Sequence, residues 1–147
     1  LKAIVQRVSS ASVSVEGEVL GQIGRGLLVL LGIGAEDHDS DLDWMVDKVV
    51  HLRCFEDDRG KMNLSVLDTQ REILCISQLT LYGDCRRGSR PSFDKAANPS
   101  LAFGFYEKFI DKIGKKGVII KAGRFGAKMT ISLTNEGPVT LFLDSQM

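Results

Sequence analysis

The chain has 147 residues, 44% hydrophobic and 26% charged, which suits one globular domain with its own core and excludes a disordered or fibrous chain. Basic and acidic residues balance at 19 each, so no global field draws the protein onto nucleic acid or membrane, and any polyanion must meet a local patch. No apolar run reaches transmembrane length; the longest, GLLVLLGIG at 26–34, is one buried strand long.

The first residues, LKAIVQRV, alternate and lack signal-peptide anatomy, and 2–8 reads as a strand. Val13, Val15, Val19 and Ile23 keep strand spacing around a Glu16-Gly17 turn, which predicts a hairpin before the 26–34 strand. The period then changes. Leu42, Met45, Val46, Val49, Val50 and Leu52 recur at helical spacing, and Ser40 with Asp43 offers a capping pattern for a helix over about 40–53. EDDRGKMN at 56–63 is turn-rich, and EILCISQLTL at 72–81 reads as a second buried strand. A long polar loop, GDCRRGSRPSF at 83–93, is of the kind that carries function. The next helix has clear punctuation: Asn98 caps it, Pro99 opens it, Leu101, Phe105, Phe109 and Ile113 form its stripe, and Gly114 closes it. Strands at about 117–122, 128–134 and 139–144 finish the chain. The expected fold is α+β: a single domain over 1–147 with a mostly antiparallel or mixed, barrel- or roll-like sheet and two main helices.

The inventory for familiar chemistries is thin. Three cysteines, Cys54, Cys75 and Cys85, are an odd number with no close pair, which fits free thiols in a reducing, cytoplasmic setting. Only two histidines, His38 and His51, are present, with no CxxC or HxxxH, so no metal or other cofactor is expected. No GxSxG accompanies them; His51 reads as a helix-surface residue and Cys75 as core, while Cys85 lacks a histidine to activate it.

Two polar islands stand out. Ser77-Gln78-Leu79-Thr80 ends an apolar strand, where its hydroxyls and amide either line a pocket or face solvent on alternate positions. Asn135 to Thr140 surrounds Gly137-Pro138, which interrupts a strand pattern and is either a turn or a rigid backbone tool aimed at a ligand. Basic residues gather at Arg86, Arg87, Arg90 and Lys95, then Lys115, Lys116, Lys121, Arg124 and Lys128, as a phosphate-tracking surface or as ordinary solvated loops.

SQLT at 77–80, RRGSRPSF at 86–93, GRFGAKM at 123–129 and NEGPVT at 135–140, with KAIVQRV at 2–8 and NLSVLD at 63–68, resemble the D-aminoacyl-tRNA deacylase family across the whole chain. The combination of SQxT with NxGPxT carries the resemblance; any one piece is weak. It implies a homodimeric hydrolase, without cofactor or membrane association, acting on the acceptor end of D-aminoacyl-tRNA and on glycine misattached to a non-cognate tRNA. It further implies that the Gly137–Pro138 bond is cis and enters the partner's pocket, formed by Ser77, Gln78, Leu79 and Thr80. Arg7 would hold that insertion, while Ala102, Phe125 and Met129 would shape the pocket around the aminoacyl group and adenosine. For the general base, Thr80 is the obvious side-chain candidate, but a threonine hydroxyl without a partner base is a poor one, and the family picture favours the substrate's own 2′-hydroxyl in assisting attack. One departure is Leu79, where the family usually carries Phe; leucine offers no ring face. Two other readings are a non-catalytic tRNA- or nucleic-acid-binding module, which would bind with strong salt dependence and cleave nothing, and a small-molecule esterase, which the missing nucleophile–histidine pair disfavours.

Overall fold

The computed structural model describes residues 1–147. It is built on one six-stranded sheet, with two long helices and one short one. Strand β1 (Lys2–Val15) is the spine. Antiparallel β3 (Gly26–Gly32) pairs with its first half and β2 (Glu18–Ile23) with its second, while β8 (Thr130–Asp144) runs beside it from Lys2 to Ser14. Two parallel additions, β6 (Glu72–Ser77) on β3 and β7 (Ile120–Ala122) on β6, make the sheet mixed. Its two ends curl together: Lys121 Nζ donates to the Gln22 carbonyl at 2.8 Å, and a Cβ on Gly21 would lie 3.2 Å from the Ala122 carbonyl oxygen. The sheet is thus nearly closed, as a roll.

Closure explains why β3 and β6 are apolar on consecutive residues. Leu27, Val29, Leu31, Ile73 and Cys75 face a large core, covered by helices α1 (Asp39–His51) and α3 (Pro99–Lys115). Leu28, Leu74 and Ile76 face a smaller core inside the roll, with Val8, Val13 and Ile23. Strands buried on both faces read as continuous runs rather than alternation. No helix is long and apolar enough to cross a membrane.

Several boundaries differ from expectation. The strand expected over 2–8 and the first arm of the hairpin are one strand, because β8 pairs with both. The strands expected over 128–134 and 139–144 likewise belong to one strand, β8, with a local excursion. The α1 cap is not the Ser40–Asp43 pair. His38 is the capping position, and the Asp41 carboxylate accepts from the His38 N–H at 2.8 Å. Helix α3 does begin behind Asn98, whose side-chain oxygen accepts from Leu101 N–H at 2.9 Å. It runs through Gly114 to Lys115, and Gly117, at φ +90°, makes the left-handed turn that ends it. The turn-rich 56–63 segment forms a small hairpin of β4 (Phe55–Glu56) and β5 (Met62–Leu64), followed by the one-turn helix α2 (Val66–Thr69). The strand expected over 72–81 stops at Ser77, and Leu79–Tyr82 coils into a 3-10 turn.

Candidate active site

That 3-10 turn makes one wall of an apolar cavity of about 510 Å³. Its position follows from β3. A Cβ on Gly32 would lie 2.9 Å from the Gln78 carbonyl oxygen and 3.1 Å from Leu81 Cβ, so glycine lets the turn settle against the strand end. Gln78 N–H is consumed there, donating to the Leu31 carbonyl at 2.8 Å. Leu81 N–H returns to the Gln78 carbonyl at 3.3 Å, and Gly83 N–H to that of Thr80 at 2.9 Å. In a turn of i→i+3 bonds the first donors have no acceptor inside it, so the N–H groups of Leu79 and Thr80 are left over. Among the side chains, the Gln78 amide Nε2 donates to Thr80 Oγ1 at 2.5 Å.

Ser77, Gln78, Leu79 and Thr80 line this cavity together with Ala102, Phe125 and Met129. Helix α3 brings Ala102, and the turn after β7 brings Phe125, whose ring lies edge-on to Phe103 with centroids 5.2 Å apart. Tyr106 backs the same ring at 5.9 Å and anchors itself through its hydroxyl, which donates to the buried Cys75 carbonyl at 3.0 Å. Met129 closes in over Gly123, where a Cβ would meet its sulfur. Leu79 is 53% exposed although it lines the cavity, which places it at the mouth. Phe93 and Ile33 also line the cavity, and sequence reasoning did not single them out. Phe93 ends the RRGSRPSF motif and was within reach; Ile33 looked like one more residue of a buried run.

Arg7, Gly137 and Pro138 are not in this wall. Arg7 and Gly137 line a separate, charged cavity with Arg25, Phe55, Arg71 and Glu136. The Gly137–Pro138 bond is cis. Here β8 leaves the ladder: Thr140 pairs with Gln6 and Asn135 with Val8, so the four residues Glu136–Val139 stand opposite Arg7 alone. Arg7 is 7% exposed and donates through Nε to the Glu136 carbonyl at 2.9 Å and through Nη1 to the Cys54 carbonyl at 2.8 Å. Asn135 braces the far side, accepting from Val139 N–H and donating to Thr140 Oγ1, both at 2.9 Å. The polar residues flanking Gly-Pro therefore hold its excursion. The Glu136 carboxylate lies 3.9 Å from both Arg7 and Arg25; Glu136 sits inside the NEGPVT island, whereas Arg25 had no local sequence signal.

The remaining candidates lie elsewhere. Cys75 is fully buried and burial drives its thiol pKa upward, the opposite of an activated nucleophile. Cys85 is exposed. His51 ends α1 at the surface, with Nδ1 2.9 Å from the Asp47 carbonyl oxygen. Of the basic residues, Arg86, Arg87 and Lys95 line one polar cavity, whereas Lys115 pairs with Asp111 at 3.0 Å and Lys121 with Glu72 at 3.3 Å.

The family model described as D-Tyr-tRNA(Tyr) deacylase matches residues 4–144. The D-aminoacyl-tRNA deacylase of Clostridioides difficile (strain 630) is 54% identical over 145 residues, covering 99% of this chain and 97% of that protein. The D-aminoacyl-tRNA deacylase of Thermosipho melanesiensis is 52% identical over 147 residues, covering 99% and 98%. A solved structure described as c-Myc DNA Unwinding Element Binding Protein superposes with a TM-score of 0.92 at 47% identity, covering 98% of each chain. Another, described as a probable eukaryotic D-amino acid tRNA deacylase, shares the fold at a TM-score of 0.84 and 17% identity, covering 97% of each chain. With a family model spanning nearly its whole length and half-identical relatives end to end, the chain belongs to the D-Tyr-tRNA(Tyr) deacylase family.

Proposed function

We propose that this hydrolase cleaves the ester joining a D-amino acid to the terminal adenosine of tRNA, releasing the free D-amino acid, and that it spares L-esters by steric exclusion. The observation that carries the reading is the apolar cavity whose wall ends in two N–H groups, Leu79 and Thr80, not consumed by the turn that presents them. An aminoacyl ester is already activated. Its hydrolysis needs a water at the carbonyl carbon and donors for the tetrahedral oxyanion. The two N–H groups supply the donors, and because they are backbone groups the Leu79 side chain does not alter them. Water adds, the bond to the ribose oxygen breaks, and that oxygen takes up a proton.

Thr80 is a poor general base. Its hydroxyl has one side-chain partner, the Gln78 amide, which donates to it and takes no proton from it. The substrate's own ribose 2′-hydroxyl is the better-placed assistant in attack. Ala102, Phe125 and Met129 hold the aminoacyl group and adenosine by shape rather than charge. No metal or other cofactor enters the scheme.

Chirality is read by Gly137 and Pro138 in trans. They lie outside the wall of their own chain's cavity, which supports delivery by a second copy and a homodimer as the working unit. Exposed Leu133 and Phe142 on β8 support a partner-covered face on that strand. An L-ester and a D-ester exchange the directions of the Cα hydrogen and side chain. A backbone wall held by Arg7 and Asn135 rejects the L side chain without having to recognise any D side chain. Glycine has no side chain to exclude, so glycine misattached to tRNA is admitted too. Such substrates place the enzyme in the cytoplasm.

Mixed dimers test the trans arrangement. An Ala102→Trp subunit keeps Gly137 but blocks its pocket; a Gly137→Ala subunit keeps its pocket but spoils its insertion. Mixed, they regain activity at roughly a quarter of the sites, since half the dimers are mixed and each has one intact composite site. No recovery on mixing overturns the trans assignment. Binding of D-Tyr-tRNA without release of D-tyrosine by the unaltered protein moves the reading to a nucleic-acid-binding module.

A further inference from the structure

We infer that the polar cavity behind Phe93 is a phosphodiester subsite, in which Arg86, Arg87 and Lys95 take the first backbone phosphates next to the esterified adenosine; this rests on the tRNA-ester reading above. The segment 92–96 forms the partition. Phe93 and Ala96 face the apolar cavity, while Ser92, Asp94 and Lys95 face a second cavity of about 490 Å³ lined by no hydrophobic residue. An ester seated at the 3-10 turn thus has its nucleotide chain leaving past one ring into a cationic space. Phe93 is 40% exposed, which offers a face for a base.

The loop that carries the cations is folded. Asp84 and Ser92 exchange backbone hydrogen bonds at 2.8 and 2.9 Å, closing the loop at its base. Lys95 is pinned through its carbonyl, which accepts from Ala35 N–H at 2.9 Å, two residues from an Ala97–Ile33 bond at 3.0 Å. Two carboxylates share the cavity with the three cations. Asp84 is already engaged, accepting from Arg86 N–H at 3.0 Å and lying 3.4 Å from Arg86 Nε. Arg87 and Lys95 have no ion-pair partner within the chain, unlike Lys115 and Lys121. The balance leaves one positive charge, matching a phosphodiester. Lys2 and Arg86 line the adjoining cavity and extend the track.

The test is binding of an uncharged, fluorescent RNA minihelix ending in CCA, measured across salt concentrations. Alongside it, kcat/KM is measured for D-Tyr-tRNA and for 3′-O-D-tyrosyl-adenosine, which has no phosphate. For the double variant Arg86→Ala/Arg87→Ala, minihelix affinity falls about tenfold or more and the slope of log K against log salt becomes shallower by about 0.7 per lost contact. Lys95→Ala shifts both the same way, and Lys115→Ala shifts neither. The ratio of kcat/KM on D-Tyr-tRNA to that on the adenosine ester falls by a similar factor, through KM. An unchanged affinity and slope in the double variant overturns the subsite. Equal losses on both esters also overturn it, by showing that the loop supports the pocket instead. A salt-dependent, arginine-dependent affinity in a protein that cleaves neither ester leaves the subsite standing and removes the deacylase reading.

Discussion

The pocket at the 3-10 turn and the Gly137–Pro138 excursion are built in opposite ways. The pocket is apolar, assembled from β6, the turn, α3 and the 123–131 segment, and its shape is shared among many side chains. The excursion is four residues long and hangs on one buried arginine and one asparagine. Distributed packing absorbs a single substitution by local relaxation, whereas a segment held at two points has no alternative support. Binding is therefore spread out, and selectivity is concentrated.

The largest effect that would sharpen this contrast is at Gly137. At φ +131° a side chain is strained, and a Cβ there would lie 2.6 Å from Arg7 Nη2. Gly137→Ala should displace the guanidinium and the excursion with it. If the wall also holds the ester in place, misplacement by an ångström at the reacting centre costs about 100-fold, so D-Tyr-tRNA deacylation should fall by about that factor in single-turnover assays and the preference for D over L should shrink with it. A variant within twofold of the parent would break the contrast.

Arg7→Ala comes next. It strips a charged donor from two carbonyls and should cost about 3 kcal/mol in chemical denaturation. Arg7→Lys should recover only part of this, because one ammonium cannot reproduce the fork that spans Glu136 and Cys54. Full recovery by lysine would mean that charge alone matters there.

On the pocket side the effects should be smaller. Thr80→Ala should slow single-turnover deacylation about tenfold, since it removes a positioned hydroxyl and leaves both N–H donors. Complete loss would restore Thr80 as the catalytic group. Tyr106→Phe should cost about 1 kcal/mol, by leaving the buried Cys75 carbonyl without its donor, with little change in kcat. A large kcat loss would show that the pocket is less tolerant than its distributed packing implies.

Local rules carried the fold only where one element's own residues decided the outcome. The Asn98–Pro99 start of α3 was legible because a cap and a proline act within one turn. Its end was not, since Gly114 looked like a stop while the chain held its left-handed turn for Gly117. QLTL after Ser77 alternates like a strand, yet coils because the close approach at Gly32 and the bond from Gln78 to Leu31 end the ladder there. The strand expected over 2–8 and the first hairpin arm read as separate, but β8 returns from the far end of the chain and pairs with both, across a register shift between Val8 and Ser10. Ser77 to Thr80 stood out as a polar strand end, but Ala102, Phe125 and Met129 were named only through the family resemblance, since they meet across elements no periodicity connects. Arg25 escaped because its pairing with Glu136 exists only after β8 returns to β1.

The most direct test of the central claim is deacylation of paired D-Tyr-tRNA and L-Tyr-tRNA by the purified protein under identical conditions. Rapid loss of the D ester with the L ester spared is the predicted result. Hydrolysis of both at similar rates would contradict it, leaving an esterase in which Gly137-Pro138 is a turn and nothing more.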